Sequence, residues 1–248
     1  MRDEGAGAAC VLLHGAPLDR HAWDGLVPLL SDRCRVLVPD LRGHGSASEG
    51  RAAGSVREFA EDLTALLDLL DVPRVDLVGH SFGGQVAQRF ALDRPERVRS
   101  VVLLCTRASP FPPFRAVADE LEASGLGDVE PTVARWFPAE AVAADVPAVR
   151  YARDRVRAAD PARWARVLRM IADFDVLGAL PRLDVPVSVV AAAHDRVADP
   201  EAMRGIAEAV PEGSFHLWEG AHHCAPLLDP PATADLVLRA LARRGGPR

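Results

Sequence analysis

From residue 8 onward, short apolar runs alternate with stretches of helical periodicity, and no other feature limits the possible fold so strongly. Ala8 to Leu13, Cys34 to Val38, Val75 to Val78 and Val98 to Cys105 are too short for helices, and they read as buried strands. Between the first two, Trp23, Leu26, Val27, Leu29 and Leu30 recur at roughly helical spacing, with Pro28 tolerable in an early turn. Val56 to Leu70 places Phe59, Leu63, Leu66, Leu67 and Leu70 on one helical face, and Asp71-Val72-Pro73 ends it. Ser55 and Glu58 predict a capping box at its start. Phe82 to Leu92, rich in small residues, reads as another helix. Strands separated by helices in this way give a mostly parallel sheet covered on both faces, an α/β fold.

The alternation is interrupted after Thr106. Pro110-Phe111-Pro112-Pro113 breaks the chain, and only helix-like segments follow: Phe114 to Ser124, Val129 to Phe137, Val146 to Ala158 and Ala162 to Asp173. Residues 109–178 are therefore expected to form a helical lid inserted after the fourth recognisable parallel strand, with residues 1–108 and 179–248 making the core. Alternation resumes with a strand at Val185 to Ala192, a helix at Pro200 to Ala209, a strand at Ser214 to Trp218 and a helix at Pro231 to Leu238.

Composition narrows the function further. A chain of 248 residues, 49% of them hydrophobic, can bury one sizeable core. The net charge of -6 comes from mixed signs without a basic block, so nucleic acid is not an expected partner. All 29 basic residues are Arg, which leaves Schiff-base chemistry and a Lys-type phosphate loop without a residue to run on. Cys10, Cys34, Cys105 and Cys224 show no C-x-x-C spacing and are expected as free, buried thiols. There is no signal-like apolar run near Met1 and no apolar span of about 18 residues, so a cytoplasmic protein without a membrane partner is expected.

The chemistry concentrates where Val75-Asp76-Leu77-Val78 runs straight into Gly79-His80-Ser81-Phe82-Gly83-Gly84, a strand followed by G-x-S-x-G and a helix. The glycines permit a sharp turn that lifts Ser81 clear of its neighbours, and the helix amides beyond it stabilise negative charge. A serine hydroxyl is a poor nucleophile and needs a base, which in turn needs an acid to orient it. Behind a turn of this kind the acid and then the histidine follow in chain order. Asp195, just past the Val185 to Ala192 strand, is the expected acid, whereas Asp199, before Pro200, reads as a helix cap. The base is one of two neighbours in Glu219-Gly220-Ala221-His222-His223-Cys224-Ala225-Pro226-Leu227, and the residues alone do not choose between them. Amides for an oxyanion are expected at Phe82, after the nucleophile, and at Ala16, in the loop after the first strand. His14 and His80 are expected in the pocket or just behind it.

His14-Gly15-Ala16-Pro17 with Trp23, Asp40-Leu41-Arg42-Gly43-His44-Gly45-Ser46, the Gly79 to Gly83 turn and the late histidine loop together resemble the α/β-hydrolase superfamily over nearly the whole chain. Its members commonly read Gly-Ala-Gly-His in the last loop. Gly220-Ala221 match, His222 stands where glycine is usual, and His223 falls on the catalytic histidine, so the resemblance implies His223 as base and His222 in or behind the pocket. Within the superfamily the chain most resembles the small branch typified by 3-oxoadipate enol-lactonases, through Arg135-Trp136-Phe137, Ile171-Ala172-Asp173-Phe174-Asp175 and its compact size. That resemblance implies a cofactor-independent hydrolase with a lid over a carboxylate-bearing lactone and with Trp136 lining the pocket. Two features depart from the branch: His80-Ser81-Phe82 replaces the usual Leu-Ser-Met, and a second histidine precedes His223.

The leading expectation is a serine hydrolase acting on a small ester or lactone, as a monomer or homodimer. Other reactions of the same scaffold stay open: perhydrolysis, carbon–carbon hydrolysis, thioester release, cyclisation or a lyase step. A ligand-binding protein without turnover is a further alternative. His194, His216, His222 and His223 lie close in sequence, but no H-x-H or H-E-x-x-H spacing occurs, so neither a metal nor another cofactor is expected. Arg42 and His44 are candidates for touching substrate, in a loop whose glycines chiefly make a turn.

Overall fold

Seven strands pair into one sheet: β1 (Arg2–Glu4), β2 (Ala9–Leu13), β3 (Arg35–Val38), β4 (Val75–His80), β5 (Val98–Leu104), β6 (Val187–Ala192) and β7 (Gly213–Trp218). Their order is β1-β3-β2-β4-β5-β6-β7 in the computed structural model, which describes residues 1–243. Every pairing is parallel except that of β1 with β3. β2 and β4 are buried along their whole length, as strands covered on both faces must be. Because β2 has β3 on one side and β4 on the other, the chain reverses its direction of winding there. The loops leaving β2 and β4 emerge side by side, with Leu13 opposite Gly79. A crevice at such a switch point is where open α/β sheets place their ligands.

The helices are α1 (Val27–Leu30), α2 (Val56–Leu69), α3 (Phe82–Asp93), α4 (Pro113–Ser124), α5 (Glu130–Trp136), α6 (Ala139–Ala143), α7 (Pro147–Arg157), α8 (Pro161–Asp173), α9 (Pro200–Ala209), α10 (Ala225–Leu228) and α11 (Pro230–Ala242). α3 packs on β4 and β5, α9 on β6 and β7, and α2 on α3. α4 to α8 all lie between β5 and β6, as the sequence predicts, and α4 pairs with α8. Pro112, Pro147 and Pro161 stand at or beside helix starts, where a missing N–H leaves no bond unmade. No disulfide joins the four cysteines, all of which are buried. Among the described residues no helix is long and apolar enough to cross a membrane.

Some local expectations fail for identifiable reasons. β1 is missed because its three residues, Arg, Asp and Glu, carry no apolar signal; it is an edge strand held by Arg35 to Asp3. The helix expected from Trp23 to Leu30 is split into a 3-10 turn at Arg20–Trp23, capped by Asp19, and the single turn of α1, where Pro28 sits at the start. The capping box does not form. Ser55 occupies the cap position without a side-chain bond, while Glu58 accepts from the Gly54 amide at 2.8 Å and pairs with Arg51 instead. α6 is a single Ala-rich turn with too few apolar residues to show a period.

Candidate active site

Ser81 joins β4 to α3 with φ +52° and ψ −118°, a conformation that costs a non-glycine residue about 1–3 kcal/mol. The neighbours hold it there. Its amide donates to Leu104 O at 3.0 Å, and its carbonyl accepts from the Gly84 amide at 2.9 Å and from Thr106 Oγ1 at 2.6 Å. The tightness explains two of the glycines. A Cβ on Gly83 would overlap the Leu13 and His14 carbonyls, and one on Gly84 would lie 2.6 Å from Thr106 Oγ1.

His223, between β7 and α10, reaches across this turn. Its Nε2 is 3.1 Å from Ser81 Oγ and its Nδ1 is 2.8 Å from Asp195 Oδ2. The carboxylate can only accept, which assigns the proton to Nδ1 and leaves Nε2 to accept from the serine hydroxyl. Asp195 is 5% exposed and His223 3%, whereas Ser81 is half-buried. Burial by itself would raise the Asp195 carboxyl; the His223 charge and hydrogen bond, with the Val197 and Ala198 amides, outweigh it and hold the group below the usual range. The loops of acid and base are tied together by the His194 amide on Ala221 O at 2.8 Å. Ser100, the other serine near the centre of the sheet, is committed to Asp76 at 2.7 Å.

The remaining expected residues surround this triad. Phe82 opens α3, so its amide has no intrahelical acceptor, and its ring meets Phe59 edge-on at 5.0 Å. Gly15 packs directly against Ser81, since a Cβ there would lie 3.0 Å from Ser81 Cβ, and Ala16 follows it. His80 donates from Nε2 to the His223 carbonyl at 2.9 Å, with the two rings 5.0 Å apart. His14 donates from Nδ1 to Gly15 O and accepts the Leu41 amide on Nε2, both at 3.0 Å. Burial pushes both rings down to about 3. The His222 ring lies 5.2 Å from that of His194, tilted by 42°, and it is His223 that meets Ser81. Trp136 lies 6.4 Å from the His223 ring, and its carbonyl accepts the Cys224 amide. Asp199 caps α9 through the Ala202 amide, as expected. Among the described residues no group of three or more His, Cys, Asp and Glu side chains is placed to hold a metal ion.

A cavity of about 440 Å³ opens between the Asp40–Ser46 loop and helices α7 and α8. Pro17, His44 and Phe59 form part of its wall, and so do four arginines, Arg42, Arg155, Arg163 and Arg166. Ser81, Ala16 and Phe82 are not in that wall, although Pro17 follows Ala16 in the chain and the Phe59 ring meets that of Phe82. The sequence reading missed what fastens α7 here. The Tyr151 hydroxyl donates to Asp19 Oδ1 at 2.8 Å and accepts the Asp19 amide at 3.1 Å, while Arg155 pairs with Asp19 Oδ2 at 3.0 Å. A lone tyrosine in the whole chain was the available signal.

A family model described as the alpha/beta hydrolase family matches residues 10–236. The chain is 31% identical to the magnesium-chelatase 30 kDa subunit of Rhodobacter capsulatus, over 87% of this chain and 81% of that protein. Among solved structures it is similar to a thermophilic esterase from Thermogutta terrifontis, with TM-score 0.90 and 29% identity over 99% of this chain and 93% of the other. It is likewise similar to the enol-lactonase of Burkholderia xenovorans LB400, with TM-score 0.90 and 25% identity over 98% and 95% of the two chains.

Proposed function

The chain belongs to the alpha/beta hydrolase family, and from that premise we propose that it hydrolyses a carboxylic ester or lactone of a small molecule through an acyl-enzyme on Ser81. One observation carries the reading: Ser81 Oγ, His223 and Asp195 form a continuous hydrogen-bonded relay of 3.1 and 2.8 Å at a strained turn. The esterase and enol-lactonase similarities support the same class of bond.

Ser81 Oγ attacks the carbonyl carbon as its proton passes to His223 Nε2. The imidazolium so formed is stabilised by Asp195, which remains ionised because the Val197 and Ala198 amides occupy its other oxygen. Charge on the carbonyl oxygen falls to the Phe82 amide at the head of α3 and the Ala16 amide beside Gly15. His223 returns the proton to the leaving oxygen, the C–O bond breaks, and a water deprotonated by His223 then releases the acid and restores Ser81. Residues 109–178 act as the lid of this site, with Trp136 beside His223 and α7 and α8 over the cavity.

Intact mass after exposure to a small fluorophosphonate tests the proposal. One adduct on the parent and none on Ser81→Ala is expected. A parent that stays unmodified by two probes of different size refutes an activated Ser81.

A further inference from the structure

The peptide that joins His223 to Cys224 is held from both sides. Its carbonyl accepts from His80 Nε2 at 2.9 Å, and its N–H donates to the Trp136 carbonyl at 3.0 Å. The first partner stands at the end of β4, next to Ser81, and the second at the end of α5, in the helical insertion. A carbonyl only accepts, so the His80 proton is on Nε2. That leaves Nδ1 in need of a donor, and among the described residues it has none. The ring is buried 5.0 Å from the His223 ring, meets Trp23 edge-on at 6.4 Å, and sits so close to Gly15 that a Cβ there would lie 3.1 Å from Nδ1. A buried acceptor without a donor costs stability, and an apolar side chain would avoid that cost, so packing does not account for a histidine at this position.

We propose that His80 is a positioning residue for the base: by holding the His223–Cys224 peptide opposite Trp136, it fixes where His223 Nε2 meets Ser81 Oγ. The inference rests on the hydrolase reading of Ser81 and His223. His223 belongs to neither a strand nor a helix, so its backbone takes its position from such cross-links. His80, by contrast, is the last residue of β4, paired in register with Leu104 of β5, and Ser81 is the next residue in the chain. The Nε2 bond therefore ties the base to the same strand end that carries the nucleophile, and the separation of 3.1 Å between them is kept when the surroundings shift. Without that bond the peptide keeps its link to the helical insertion, and His223 follows α5 rather than Ser81. A displacement of about 1 Å at a reacting pair can cost about 100-fold in rate.

The rate at which the small fluorophosphonate labels Ser81, with kcat and KM for p-nitrophenyl butyrate beside it, tests this. His80→Leu removes the donor and is expected to slow labelling and lower kcat by about 10- to 100-fold, with KM within about threefold of the parent. His80→Gln, whose amide reaches toward the same carbonyl, is expected to recover most of the loss; a residue that merely filled space would give no such rescue. Should His80→Leu fail to fold by circular dichroism, His80→Asn, whose amide stops a methylene short of the carbonyl, takes its place and is judged the same way. If the butyrate ester is not turned over, the labelling rates alone decide. Labelling as fast without the donor as with it, a loss confined to KM, or an equal loss in His80→Gln overturns the inference while the hydrolase reading stands. A parent that stays unlabelled by both probes refutes the hydrolase reading, and this inference falls with it.

Discussion

Lowering the pH from 7 to 5 is expected to destabilise the fold through His14 and His80, and the size of the effect follows from their partners. His14 Nδ1 faces a carbonyl, which only accepts, and Nε2 receives an amide, which only donates, so the ring must be neutral. A second proton would break the Leu41 bond and bury a charge. His80 gives its one proton to the His223 carbonyl, and its Nδ1 is buried with no acceptor for another. Burial holds both rings at about 3, against about 6.5 in the unfolded chain. Between those values the unfolded state binds protons that the folded state refuses. Stability is therefore complete above about pH 6.5 and declines as the pH falls toward about 3. At pH 5 each ring has lost about 2 kcal/mol, or about 4 together, a large share of the roughly 5–15 kcal/mol that holds a domain. Asp40, where bonds from Ser46 and Arg20 outweigh burial and hold the carboxyl at about 2, titrates below this window.

Urea unfolding at pH 7, 6 and 5 measures the loss directly. His14→Gln supplies the control, since a glutamine carbonyl can still accept the Leu41 amide but does not titrate. Whatever the substitution costs at pH 7, its further loss on going to pH 5 should be smaller than the parent's by about 2 kcal/mol. A parent whose stability is flat from pH 7 to 5 refutes the argument, and so does a variant with the parent's slope.

Asp195→Asn should fold with near-parental stability and lose about 10⁴-fold in kcat, because the amide favours the wrong His223 tautomer; steady-state kinetics with activity within tenfold of the parent would contradict the relay. Gly84→Ala should cost about 1–3 kcal/mol by forcing Thr106 off the Ser81 carbonyl, and should lower kcat more than it raises KM. Thermal unfolding and kinetics unchanged from the parent would show that the turn has slack. Tyr151→Phe removes the two hydroxyl bonds to Asp19, about 1–2 kcal/mol, which in a chain this size lowers Tm by about 2–6 °C; calorimetry showing no shift would mean that Arg155 alone holds α7.

What the sequence made legible follows physical rules. α2 and the central strands could be read because burial on a helix face or within a doubly covered sheet imposes a regular apolar pattern. The turn at Ser81 could be read because backbone crowding at Gly83 and Gly84 excludes side chains, a constraint that leaves glycines in the sequence. The choice between His222 and His223 could not be made from spacing. It depends on how the loop orients two adjacent side chains, and His222 finds its place against His194 on a loop 28 residues earlier. Tyr151 and Asp19 are 132 residues apart, and their pairing exists only once α7 lies on the loop after β2. Edge strand β1 and the broken helix near Trp23 were obscured for a simpler reason, being too short to show any period.

The two parts of the site are held by different kinds of force. Ser81 is fixed by close backbone contacts at the carboxyl edge of β2, β4 and β5, where a methyl group does not fit. The cavity wall packs its apolar residues, Phe59, Trp164 and Val167, into the common core, and polar links add to that: Tyr151 and Arg155 to Asp19, and Arg163 to the Gly50 carbonyl. A protein hydrogen bond exchanges for one to water at a net cost of about 0.5–1.5 kcal/mol, whereas overpacking a core costs about 1–3 kcal/mol with no solvent to relieve it. Those polar links are thus the part of the wall that can change cheaply, and the turn is not. Because Asp19 lies only three residues beyond Ala16, whatever moves α7 acts on the segment that carries one of the proposed oxyanion amides. Substitutions in the wall should consequently alter KM and the preference among substrates, and those that loosen Asp19 should reach kcat as well.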